Sequence, residues 1–202
     1  MKTIFTSLLT FFLVSLAWAA TPGQELQKIL NSVETIQANF TQKNYAGSKS
    51  GNKVIRSSQG TLAIKKPGKF RWDITSPSKV SMISNGKLVW IYDKNLKQAT
   101  VKKVSKNSDT SPVMVLSNRI RLLGNYFHVW QKNGWYYLNP KYGNDDLKQV
   151  QLKFNGNRLS KMWIFDKLGQ RSYLQFSNVR INQKLADGQF NFRPPKGVDI
   201  IR

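Results

Sequence analysis

The sequence predicts a mostly β fold: about eleven or twelve short strands in a meander, forming a sandwich or a barrel-like sheet, with two helices laid on it. Three observations predict this. Apolar residues recur at every second position through most of the chain, as where Phe70, Trp72 and Ile74 alternate with Lys69, Arg71 and Asp73. Turn signals punctuate the alternation at Asn85-Gly86, Asn133-Gly134, Asn155-Gly156 and Leu168-Gly169. Helical periodicity appears only twice.

The elements follow in order. Residues 1–19 read as a secretory leader: Lys2, a short apolar run from Leu8 to Val14, and Ala17-Trp18-Ala19 as a small-x-small cleavage site. Cleavage after Ala19 leaves residues 20–202 as one domain in an extracytoplasmic space, most simply a periplasm. Thr21-Pro22-Gly23-Gln24 is a capping box with Pro at the first helical position. Leu26, Ile29, Leu30, Val33 and Ile36 then follow at helical spacing. Strands are expected from Ala38 to Lys43, Thr61 to Lys65, Lys69 to Thr75, Lys79 to Ile83, Leu88 to Tyr92 and Gln98 to Lys102. Ser111-Pro112 opens a second helix, apolar on more than one side, which Gly124 ends. A helix of that kind covers one surface and plugs another. Further strands are expected at Tyr126 to Gln131, Trp135 to Leu138, Val150 to Phe154, Leu159 to Phe165, Tyr173 to Ile181 and Phe190 to Arg193.

Composition removes several kinds of chemistry. With no cysteine and His128 alone, neither thiolate nor histidine-rich metal sites can form. His128 lies in a strand-like run and reads as structural, and no nucleophile elbow or glycine-rich phosphate loop occurs. Ten acidic residues include one adjacent pair, Asp145-Asp146, beside Gly143-Asn144 in a turn. No plausible catalytic set remains, so no enzyme and no cofactor are expected. The formal net charge is +22, or +21 once Lys2 is lost with the leader (22 − 1). Such a surface attracts anionic lipid headgroups, acidic proteins or nucleic acid. Lysine supplies 23 of the 32 cations, and it is the poorer residue for bidentate phosphate or base recognition. Aromatics make up 12% of the chain. They suit a packed core or the lining of a cavity; Met114 beside Val113, Val115 and Leu116 reads as an adaptable lid.

Six stretches carry a resemblance when taken in order. They are ANFTQK (Ala38 to Lys43), KKPGKFRWD (Lys65 to Asp73), SNGKLVWIYD (Ser84 to Asp93), KQATV (Lys97 to Val101), SPVMVLS (Ser111 to Ser117) and FNFRPPKGVDII (Phe190 to Ile201). With the leader before them, the chain resembles the periplasmic outer-membrane lipoprotein carriers, the LolA family. The resemblance implies an unclosed antiparallel β-barrel of about 11 strands, with an N-terminal helix and a lid helix over a hydrophobic cavity. It implies a monomeric periplasmic chaperone that takes triacylated lipoproteins from the inner-membrane transporter LolCDE and hands them to the receptor LolB. That receptor is itself a lipoprotein, so the missing cysteine favours the carrier. Nucleic acid is not an expected partner; the alternative reading is a basic binder of anionic polymer or lipid.

On this resemblance the acyl-chain cavity is lined by Phe40, Ile64, Phe70, Trp72, Met82, Trp90, Val113, Met114 and Leu116. Phe70 matches a rim position that engages the transporter. Family members commonly carry Arg before the Pro of the second stretch, where it holds the lid closed. Here that residue is Lys66, with a point charge in place of a planar fork. Either Lys66 holds closure less strongly, or Arg71 does so instead.

Overall fold

The computed structural model describes residues 20–47, 53–104, 112–117, 123–142 and 147–202, except the side chains of Pro112, Met114 and Val115. The leader, Asp145-Asp146 and the Met114 side chain therefore lie outside the described residues.

A helix opens the domain. α1 (Pro22–Asn31) is capped as its sequence dictates: Thr21 Oγ1 accepts from the Gln24 amide, and Gln24 Oε1 accepts from the Thr21 amide. It stops at Asn31, earlier than the apolar spacing suggests. Val33 is buried just beyond it, and Ile36 already belongs to β1 (Thr35–Tyr45).

The strands continue with β2 (Val54–Lys65), β3 (Lys69–Ser76), β4 (Val80–Asn85), β5 (Leu88–Asp93) and β6 (Gln98–Lys103). Two short helices, α2 (Pro112–Ser117) and α3 (Leu123–Tyr126), precede β7 (Phe127–Lys132). Residues 118–122, between these two stretches of the single helix expected here, lie outside the described residues; Gly124, expected to end that helix, lies inside α3. β8 (Trp135–Pro140), β9 (Leu147–Asn155), β10 (Arg158–Asp166) and β11 (Arg171–Ile181) follow. A 3-10 turn (Asp187–Phe190) and a short β12 (Asp199–Ile201) end the chain. The strand expected at Phe190 to Arg193 is absent, because the side chains there pack on the sheet instead of pairing with it. The last strand comes later and lies parallel to β6.

All twelve described strands form one sheet in the order β12-β6-β5-β4-β3-β2-β1-β11-β10-β9-β8-β7. Its two ends, β12 and β7, do not pair, so the sheet is unclosed. Every pairing except β12 with β6 is antiparallel. β2 begins well before Thr61. The polar run Arg56-Ser57-Ser58-Gln59 has no apolar alternation, and its pairing with the far end of β1 makes it a strand. At Gly60 the two strands and β3 crowd together: a Cβ there would lie 1.9 Å from the Asp73 carbonyl oxygen and 2.8 Å from Phe40 Cζ. Only glycine fits, and the Phe40 ring fills the space above it.

Candidate functional site

Register assigns the faces. Ala38, Leu62, Trp72, Met82 and Ile91 stand in one row across β1 to β5, and Ile36, Ile64 and Phe70 in the next. In the other half of the sheet, Leu174, Met162, Leu152 and Tyr136 form the matching row. These residues and the helices make one apolar cluster. α1 contributes Leu26 and Leu30, α2 contributes Val113 and Leu116, and α3 contributes Leu123. The helices therefore cover one apolar face of the sheet, and their inward side chains are almost wholly buried.

One turn holds the cover. Between β2 and β3, Lys66 is only 7% exposed, and its ammonium donates to the Leu30 carbonyl in the last turn of α1. A cation at a helix C-terminus meets orphan carbonyls and the negative end of the helix dipole. Two residues on, the Gly68 amide donates to the Ser117 carbonyl of α2 at 2.8 Å. The Lys66 amide donates to the Glu34 carbonyl at 2.9 Å. Lys66-Pro67-Gly68 thus ties α1 and α2 to the same β2–β3 turn. α3 is tied to α1 by the Leu123 amide, which donates to Gln27 Oε1 at 3.0 Å. Burial, and then the neighbouring Glu25 carboxylate, push the Tyr136 hydroxyl pKa up.

The structure brings most of the expected lining together. Phe40, Ile64, Phe70, Val113 and Leu116 are buried in the cluster, and Trp72 and Met82 are part-buried against it. Phe40 and Trp72 touch, with ring centroids 4.5 Å apart. Trp90 is not among them. It pairs with Ile83, one position out of phase with Met82 and Ile91, so it faces the opposite side and packs on Phe192 at 5.4 Å. Phe70, expected at a rim, is 1% exposed beneath the cover.

Arg71 also lies on the opposite side, away from α1 and α2. It pairs with Asp73 at 2.6 Å and donates to the Gln189 carbonyl at 3.4 Å, so the closure expected of it as an alternative to Lys66 does not occur. That outer face has its own cover, the C-terminal segment. Lys65 and Lys69 both meet the Asp187 carboxylate at 2.9 Å, and Ile83, Ala99 and Phe190 are buried outside the main cluster. Beside it lies a depression of about 570 Å³ with a mostly polar lining that includes Gln37, Asn39, Thr61, Asp73 and Arg180. Residue spacing does not reveal Gln27, Asp187 or Gln189, because each acts across more than 90 residues of chain. A lone glycine inside an otherwise extended run is the signal that marks Gly60.

A family model described as outer membrane lipoprotein carrier protein LolA matches residues 31–193. The chain belongs to the LolA family. An outer-membrane lipoprotein carrier protein of Coxiella burnetii (strain CbuK_Q154) is 31% identical over 208 residues, spanning 98% of this chain and 97% of that one. A second, from Pseudomonas aeruginosa (strain UCBPP-PA14), is 32% identical over 205 residues, 96% of this chain and 97% of its own. Among solved structures, a LolA superfamily protein from Nitrosomonas europaea aligns with a TM-score of 0.45 at 14% identity, covering 86% of this chain and 99% of that one. Among the described residues no helix is long and apolar enough to cross a membrane, and no group of acidic or histidine side chains is arranged to hold a metal.

Proposed function

We propose that this chain is a lipoprotein carrier of the periplasm, exported by its leader, which shields the acyl chains of its cargo on the helix-covered face of the sheet. One observation carries the reading. A continuous apolar sheet face is covered by short helices, and one turn, Lys66-Pro67-Gly68, hydrogen-bonds to both α1 and α2. A cover of this kind can be displaced without unfolding the sheet.

The physical need is clear. A buried methylene is worth about 0.8 kcal/mol, so three long acyl chains in water cost on the order of tens of kcal/mol. The cargo chains replace the side chains of α1 and α2 on the inner face, where Phe40, Ile64, Phe70, Trp72 and Met82 receive them. Closure of the cover opposes this binding and favours release. In this reading LolCDE loads the carrier and LolB unloads it, and each must act by differential affinity, since the chain has no nucleotide motif. Phe70 meets the transporter only after the cover moves. The chain works as a monomer and without catalysis.

Incubation of the purified protein with spheroplasts, followed by mass spectrometry of the soluble fraction, tests the proposal. Triacylated lipoprotein is expected in a complex with the protein. Membranes that keep all their lipoprotein in its presence would overturn the reading.

A further inference from the structure

The outer face of the second half of the sheet carries a pattern that acyl-chain binding leaves unused. Side chains there fall into rows across the strands. One row runs Trp130, Tyr137, Gln151, Trp163, Tyr173 and Lys43. The next runs Lys132, Trp135, Lys153 and Lys161. The Lys153 ammonium sits 5.7 Å from the centroid of the Trp135 ring, and the Arg171 guanidinium 5.6 Å from that of Tyr45. No acidic residue stands in either row. These aromatic residues remain part-exposed, Trp130 at 38%, whereas the corresponding face of β3 to β5 is covered by the C-terminal segment.

The rings are arranged for a surface more than for a strand of bases. Trp130 stacks on Tyr137, with centroids 5.2 Å apart and planes 9° apart. Trp163 packs on Tyr173 at 4.7 Å, Tyr45 at 5.6 Å and Phe165 at 5.8 Å. Rings that lean on one another offer fewer free faces for base stacking. Of the cations in these two rows and ring contacts all but Arg171 are lysines, which lack the fork for bidentate phosphate or base contacts. Amphipathic rings flanked by lysines match the interfacial zone of a bilayer. There the rings sit at headgroup depth, the lysine stems lie along apolar surface and the ammoniums meet lipid phosphates.

We propose that the outer face of β7 to β11, together with the facing end of β1, docks on the surface of an anionic phospholipid bilayer. Docking uses the face opposite the cover, so it neither needs nor blocks the cargo site. It stands independently of the carrier reading.

Co-sedimentation of the purified protein with vesicles tests it, using phosphatidylcholine alone and phosphatidylcholine mixed with phosphatidylglycerol. The protein is expected to bind the mixed vesicles with a blue shift of tryptophan emission, and to bind the neutral ones far more weakly. The double variant Lys153→Glu/Lys161→Glu is expected to bind on the order of tenfold more weakly or worse. Lys94→Glu/Lys196→Glu has the same net charge but alters exposed sites away from this face, and it is expected to keep most of the binding. Circular dichroism checks that each variant folds, and Lys153→Ala/Lys161→Ala replaces the first pair if it does not. The proposal is overturned if the wild type ignores phosphatidylglycerol, or if the two double variants lose binding equally. It is also overturned if single-stranded DNA binds with the same sensitivity to the face variant while vesicles do not.

Discussion

Lys66 is a cation kept at 7% exposure beside the end of a helix. Burying a charge is costly unless its donors are used, and here the Leu30 carbonyl uses one of them. In the proposed mechanism cargo and closure compete for the same face, so weakening closure strengthens retention of cargo. Lys66→Leu is therefore expected to hold lipoprotein more tightly, on the order of tenfold for one charged hydrogen bond, and to pass it to the receptor more slowly. A transfer assay with purified receptor measures this, and unchanged transfer would remove Lys66 from the mechanism. The residue type and its place before Pro67 are legible in the sequence. Its partner is not, because Leu30 lies 36 residues away on another element.

At the scale of elements, two covers lie on two faces of one sheet. The helices cover the inner face, and the segment around the 3-10 turn covers part of the outer one. Lys65 and Lys69 hold the Asp187 carboxyl below its ordinary value of 3.8 by hydrogen bonding and charge. A depressed pKa means that the contribution is fully present above 3.8 and is lost as pH falls through that value toward the lowered one. Acidification into that range is expected to loosen the C-terminal segment, with Trp90 emission changing as Phe192 leaves it. Asp187 is exposed, so added salt weakens the effect. Asp187→Asn is expected to remove this step from the pH profile; a variant with the wild-type acid response would show the tether to be idle.

The elements also show what periodicity misses. Alternation located the middle of nearly every strand. It placed a strand at Phe190 to Arg193, where the alternating side chains pack on the outer face instead, Phe190 buried and Phe192 against Trp90. The lining implied by the resemblance also joins Trp90 to Phe70 and Trp72, although the β4 to β5 register sets it on the other side. Two-residue periodicity says that neighbours in a strand face apart; it does not say which face is inside.

For the whole molecule, the formal charge of +22 and the apolar inner face act in different ways. Contact with an anionic surface is screened by salt, whereas burial of acyl chains is not. Raising ionic strength is expected to free the protein from anionic vesicles while lipoprotein stays bound. Parallel measurement of vesicle sedimentation and of cargo retention across a salt series checks this. Cargo released at the same salt concentration as the vesicles would place both on one electrostatic surface.

By itself the sequence determined the export signal as an expectation, the β class, the capping of α1, the lack of thiol chemistry and the ordered stretches of the family. Each is a matter of residue type at short spacing, where local geometry governs. Only the tertiary structure decided which aromatics lie inward, that Gly60 must lack a side chain, and that Lys66 rather than Arg71 reaches the cover. Those outcomes depend on register and on contacts between distant parts of the chain, and short-range periodicity carries neither.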